Sequence, residues 1–260
     1  MDLKLAGKRA LVTGGSSGLG EGISLALGKA GAKVAVNYRS HPEAADAIKG
    51  QIETAGGEAT TFQADVTDSA GVAAMFAHLD SQWGGIDLLV NCAGIDGPRA
   101  DSWECDPDQW RRVLEINLIG AFSCSREALR RMIPQKSGVV LNITSVHEKI
   151  AWSGYSAYTA SKAGLSMLTK TMAQEAGPHG VRVVSLAPGA IRTPINKSVW
   201  SDPAQMKDLM SKIPLDRIGE VDDVAKMAVM LLSDAAGYVT GTTVFVDGGM
   251  TDYPSFEQGG

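Results

Sequence analysis

Seven short runs dense in Val, Ile, Leu and Thr punctuate the chain: KRALVT (8–13), KVAVNY (33–38), TTFQAD (60–65), IDLLVN (86–91), GVVLNIT (138–144), VRVVSLA (181–187) and TTVFVD (242–247). Near-continuous apolar character suits strands covered on both faces, as in parallel sheets. Segments of helical periodicity fall between them, near 18–30, 42–55, 69–83, 107–133, 156–176 and 222–233. Strand–helix alternation at this spacing predicts one α/β domain over 1–260, a doubly wound, seven-stranded parallel sheet with right-handed crossovers and helices on both faces. Segment 190–220 breaks the alternation and is rich in Pro, Asp, Ser and Met. Following a late strand, it suits a flap over a site at the strand C-termini.

Composition removes several classes of function. A net charge of −5 argues against a dedicated nucleic-acid binder. The chain contains no apolar run long enough for a membrane span and its first residues lack a cleavage pattern, so a cytoplasmic location is expected. Cys92, Cys105 and Cys124 share no CxxC spacing and read as reduced thiols. The histidines are scattered, without HExxH or a Cys/His cluster, so no catalytic metal is expected.

After the first strand comes TGGSSGLG, Thr13 to Gly20. Gly14, Gly18 and Gly20 let the chain turn tightly and let a dinucleotide pyrophosphate approach the next helix, where free N–H groups and the helix dipole favour negative charge. A second constellation lies in SGYSAYTASK (153–162). Tyrosine has a pKa of about 10 and is a poor base unless a nearby ammonium favours the phenolate. Positions i and i+4 share a helix face, so Tyr158 and Lys162 converge on one ligand, whereas Tyr155 lies two turns from the lysine. Ser145, at the end of GVVLNITS, can hydrogen-bond a substrate oxygen that also meets Tyr158.

The glycine spacing, TGxxxGxG, together with Ser145 and the YxxxK pair, resembles the short-chain dehydrogenase/reductase family, which implies a Rossmann-like fold and an NAD or NADP cofactor. Further positions carry the likeness. Asn91-Cys92-Ala93-Gly94 resembles the family's NNAG, with a cysteine in second place, and Pro188-Gly189-Ala190-Ile191-Arg192-Thr193 resembles the PGxxxT segment that holds the nicotinamide carboxamide. Asp65-Val66 matches the adenine-contacting pair, and Asn117 in EINLIG matches the helix asparagine that supports a water relay to the lysine. The resemblance therefore implies a tetrad of Asn117, Ser145, Tyr158 and Lys162. It implies cofactor contacts from Gly14, Ser16, Ser17, Gly18, Leu19, Gly20, Asn91, Ala93, Gly94, Pro188, Gly189, Ile191 and Thr193, besides Tyr158 and Lys162. At the end of the second strand, Asn37-Tyr38-Arg39-Ser40 replaces the acidic side chain that would repel a 2′-phosphate, while Ser17 stands where many NADP-preferring members carry a basic residue. Dual NAD and NADP use follows.

SVHEKIAW (145–152), PGAIRTPIN (188–196), VNYRS (36–40) and the segment from Tyr238 to Phe256 are similar to the glucose 1-dehydrogenases of this family. That likeness implies oxidation of the C1 hydroxyl of glucose to glucono-1,5-lactone by a homotetramer whose C-terminal tail, about 248–260, packs at subunit interfaces. Asp96, His147 and Asn196, on loops after strand ends, could meet the other hydroxyls of a sugar; His147 also reads as a surface loop histidine. Glu148 reads as a sugar contact, a solvated charge or a subunit salt bridge. Arg192 stands where those enzymes typically carry asparagine, and AWSGYSAY replaces a bulkier run. A guanidinium at the pocket, from Arg192 or from Arg99 on the loop after the fourth strand, would suit an acidic or sulfonated aldose such as sulfoquinovose. Two other readings stay open: a carbonyl or 3-ketoacyl reductase working in the opposite direction, and a non-catalytic dinucleotide sensor.

Overall fold

The computed structural model describes residues 3–194 and 200–252. Seven parallel strands form one sheet in the order β3-β2-β1-β4-β5-β6-β7. They are β1 (Arg9–Thr13), β2 (Lys33–Tyr38), β3 (Glu58–Gln63), β4 (Leu88–Asn91), β5 (Gly138–Ile143), β6 (Val181–Pro188) and β7 (Thr243–Val246). Alternating side chains serve two cores, as the two-residue period of a strand requires. Ala10, Val12, Val34, Val36, Leu88, Val90, Leu141 and Leu186 face α1 (Gly18–Lys29), α2 (Pro42–Thr54) and a late helix at Val221–Leu232. Leu11, Ala35, Leu89, Val140 and Val183 face α3 (Ser69–Trp83) and the helices that follow β4 and β5. The strand order reverses between β1 and β4, which opens a crevice beyond the strand C-termini.

β3 begins two residues earlier than the apolar pattern suggests, because Glu58 pairs with Lys33 across the ladder and Lys33 Nζ lies 2.8 Å from its carboxylate. The segment expected as one helix over 107–133 is three: α4 (Pro107–Leu114), a π-helical turn at Glu115–Gly120 and α5 (Ala121–Gln135). A π turn changes the direction of the side chains it carries, and such turns recur at functional sites. α6 spans Ser156–Ala176, α7 spans Pro203–Met210 within the expected flap, and α8 is the late helix Val221–Leu232.

The helix starts differ in a way that bears on the site. Asp68, Asp106 and Asp202 cap α3, α4 and α7 by accepting hydrogen bonds from first-turn backbone N–H groups. Ser17, at the start of α1, makes no such bond and leaves that turn's N–H groups without a side-chain cap. Among the described residues, no helix is long and apolar enough to cross a membrane.

Candidate active site

A cavity of about 1540 Å³ runs along the C-terminal edge of the sheet from the β1–α1 turn to the start of α6. One end is built by the glycine turn. Gly14 holds φ at +61°, and an added Cβ would sit 2.9 Å from the Ala93 Cα, so the β1 and β4 turns touch backbone to backbone. Gly18 begins α1 with φ at +54°, and a Cβ there would touch the Thr193 side chain, whose methyl group lies 4.0 Å away. N–H groups without a side-chain cap at a helix start that carries glycines fit a dinucleotide pyrophosphate. Gly14, Ser17, Gly18, Leu19, Gly20, Ala93, Gly94, Pro188, Gly189, Ile191 and Thr193 all line the cavity.

The reacting groups stand at the other end. Ser145 follows β5, and its hydroxyl accepts the His147 backbone N–H at 3.2 Å. Tyr158 lies in the first turn of α6, and one turn later Lys162 donates from Nζ to the Ile143 carbonyl at 2.9 Å. That ammonium sits 5.6 Å from the centroid of the Tyr158 ring. Asn117, carried by the π turn, accepts from the Ile95 N–H at 2.9 Å and donates to the Ile95 carbonyl and the Ser161 hydroxyl. Gly94 makes the approach possible, since a Cβ there would lie 3.2 Å from Asn117 Oδ1 and 3.6 Å from Lys162 Nζ.

Burial sets the electrostatics. It pushes Tyr158 up to about 12; the Ser145 hydroxyl pulls the other way, while Asp96 and Cys92 raise the phenol further. It pulls Lys162 down to about 8, against the opposing influence of Cys92, Asp96 and Glu148. Loss of solvent around the phenol is the largest influence on Tyr158, and the ammonium of Lys162 is held by the Ile143 carbonyl. Asp96 lines the cavity and is raised by burial, with Lys162 and His147 acting against that rise. His147 is lowered by burial, opposed by its contact with the Ile150 carbonyl and by Asp96. The Cys92 thiol is pushed up to about 11, again by burial.

Several residues expected at the site are committed elsewhere. Asn37 is 2 % exposed; its Oδ1 accepts from Gly14 N–H and its Nδ2 donates to the Phe62 and Ala64 carbonyls, so it braces three strands instead of meeting a ribose. Asn91 donates to Ser125 and Asn142 inside the molecule. Asp65 is bound by Arg112 at 2.9 Å and by Thr67, and Val66 is buried under Gly120. Ser16, Tyr38, Arg39 and Ser40 lie outside the cavity lining, with Arg39 and Ser40 exposed after β2. Arg192 is also outside it: its Nε meets Glu220 at 3.1 Å and its guanidinium lies over the Trp200 ring, so it is no anion site of the cavity. Glu148 is no solvated charge, for one carboxylate oxygen accepts from Ser166 at 2.9 Å and the other is buried without a partner. Asn196 lies outside the described residues.

The cavity also contains groups the motifs did not point to. Trp152 and Tyr155 stand beside Tyr158, and Leu209, Met210 and Ile213 of the flap segment line the same cavity. The aromatic residues of IAWSGY were a visible signal, but only folding brings them against His147. Arg99, expected as a second cation, does line the cavity.

Comparisons with known proteins agree with this geometry. Residues 14–251 match a family profile described as enoyl-(acyl carrier protein) reductase. The chain is 44% identical over 256 residues to 3beta-hydroxysteroid dehydrogenase 1 of Eggerthella lenta, covering 98% of each protein. It is 40% identical over 252 residues to glucose 1-dehydrogenase 2 of Bacillus subtilis, covering 96% of this chain and 97% of that one. A crystal structure of gluconate 5-dehydrogenase from Burkholderia cenocepacia with NADP and tartrate superposes with a TM-score of 0.92 at 35% identity, covering 96% of this chain and 98% of that one. The chain belongs to the short-chain dehydrogenase/reductase family of oxidoreductases, which use NAD or NADP.

Proposed function

We propose that the protein oxidises the C1 hydroxyl of an aldose, D-glucose foremost, to the 1,5-lactone with NAD or NADP. The observation that carries this reading is the placing of two polar groups, His147 and Asp96, in the same cavity as Ser145 and Tyr158. Half-buried polar groups need partners. An aldose brings hydroxyls to both besides the one that reacts, whereas a simple alcohol leaves them bare. The 40% identical glucose 1-dehydrogenase supports the same reading.

A bound nicotinamide supplies the acceptor for the C1 hydride. Ser145 orients the C1 hydroxyl, and Tyr158 as phenolate takes its proton. Lys162, whose ammonium is held by the Ile143 carbonyl, supports the phenolate charge when it forms and would meet ribose hydroxyls of the cofactor. Asn117 keeps the β4 loop against α6; with its side chain engaged, a relay water to the lysine would be met by its main chain. The exposed Arg39 and Ser40 suit NADP and the absence of an acidic residue there leaves NAD usable. Exposed Ile119, Phe122 and Met167 support self-association as a homotetramer, and a cytoplasmic location suits an NAD(P) enzyme with free thiols. Arg99 supports an acidic or sulfonated aldose as a variant of the same chemistry.

A second reading, oxidation of a 3β-hydroxysteroid, is favoured by the apolar flap side of the cavity at Leu209, Met210 and Ile213 and by the 44% identical relative. Initial rates with NAD and NADP on D-glucose, glucose 6-phosphate, sulfoquinovose, a 3β-hydroxysteroid and a 3-ketoacyl thioester (assayed as reduction) separate these. The highest kcat/KM on an aldose is expected; a steroid preferred over every aldose overturns the sugar reading.

A further inference from the structure

Four rings line one side of the cavity. Trp152 stacks on His147 with centroids 4.5 Å apart and planes 12° from parallel. Its other face is covered by Tyr155 at 3.9 Å and 25°. Tyr158 meets this stack edge-on, at 80° to Trp152 and 71° to His147. Stacked between His147 and Tyr155, the indole presents only its edge to the cavity and fixes the planes of the two rings against it.

His147 is the ring with chemistry to transmit. Its Nδ1 lies 3.1 Å from the Ile150 carbonyl. A carbonyl oxygen only accepts, so Nδ1 carries a proton, and in the neutral ring Nε2 is then an acceptor. Nε2 has no partner among the described residues and is not among their sealed, unsatisfied atoms. Burial, which lowers the pKa of this ring, favours the neutral form. One short loop supplies both constraints: Ile150 sets the tautomer and Trp152, two residues on, sets the ring plane. The Tyr155 N–H closes this loop onto the Trp152 carbonyl, and the Ala100 N–H binds the Gly154 carbonyl at 3.0 Å, tying it to the loop that carries Asp96.

We infer that Trp152 is a positioning residue that fixes the plane of the His147 ring, so that Nδ1 donates to the Ile150 carbonyl and Nε2 accepts a hydrogen bond from a substrate hydroxyl other than the one oxidised. This rests on the sugar reading only for the identity of that hydroxyl; the tautomer is a property of the protein alone.

The test therefore has two arms. Long-range imidazole correlations of nitrogen-15-labelled protein, assigned by loss of the His147 signals in H147N, read the tautomer without substrate. The wild type is expected to show Nδ1–H, W152A a mixture of tautomers, and W152F, which keeps stacked faces, a return toward the wild-type pattern. In the second arm D-glucose is the probe. W152A and H147N each raise KM about tenfold with kcat changed far less, the loss expected for one substrate hydrogen bond. The double variant rises no further, because both changes remove the same acceptor. A wild-type ring protonated at Nε2, a tautomer unmoved in both W152A and W152F, or additive KM effects would each overturn the inference. If the wild type turns over no aldose, the sugar reading falls and the tautomer arm alone decides the role of Trp152.

Discussion

At the residue scale, the site is a compromise between burial and charge. Tyr158 must lose a proton where burial resists a phenolate, and Lys162 must keep one where burial resists an ammonium. Y158F is expected to lower kcat by about 10³-fold, at the middle of the range for a lost acid/base group. Cofactor affinity, read by fluorescence titration, should stay near that of the wild type; near-normal turnover would remove Tyr158 from its role. Lys162 leads to a stability prediction with a definite sign. Its folded-state pKa of about 8 lies below the ordinary 10.5, so the unfolded chain binds more protons between those values. Stability therefore rises with pH across that window, and below it the folded protein carries the full cost of the buried charge. K162M should be more stable than the wild type at pH 7 by about 1–3 kcal/mol while losing most activity, and should lack the rise toward alkaline pH. Denaturant titrations across that window check both.

At the element scale, much of the fold can be read from the chain, and its limits have physical causes. The inner strands β1, β2, β4, β5 and β6 are visible because a both-sides-covered parallel strand needs a near-continuous apolar run, whereas β3 and β7, at the sheet edges and largely half-buried, carry a weaker signal. Tyr158 and Lys162 are legible because a helix couples i to i+4, and Ser145 because it ends a strand. The π turn at Glu115–Gly120 is not, since EINLIG continues the same helical periodicity as its neighbours and differs from them only in how the backbone hydrogen bonds close. The contacts of Asn37 and Arg192 are not legible for a shared reason: their partners, the Phe62 and Ala64 carbonyls and Glu220, lie between 25 and 28 residues away in sequence and are chosen by packing. Asn37 shows the consequence. N37D would turn a donor to two buried carbonyls into a buried carboxylate facing them. A loss of about 2–4 kcal/mol is expected by chemical denaturation. A variant that is equally stable and merely changes its NAD/NADP preference would contradict the brace. R192A, by contrast, should leave the kcat/KM ratio of glucose to sulfoquinovose within twofold, because its guanidinium is turned to Glu220 outside the cavity; a collapse of that ratio would restore it as an anion site.

At the scale of the whole molecule, the doubly wound sheet places two ends of one crevice to different uses. The β1–α1 turn offers bare N–H groups and space, and the β5–α6 side offers a proton acceptor with aromatic and polar neighbours. Ile119, Phe122 and Met167 stand 45%, 43% and 59% exposed on the adjoining π turn, α5 and α6. Sedimentation should find a tetramer, and F122E a smaller species; a monomeric wild type would contradict that assembly. The central claim is that Tyr158 serves the removal of hydride from C1 of an aldose. Its most direct test is turnover of D-glucose deuterated at C1, followed by mass spectrometry of the reduced cofactor. The wild type is predicted to transfer the deuterium to the nicotinamide, with Y158F transferring almost none in the same time. A reduced cofactor without deuterium, or no reduction by any aldose, would contradict the account.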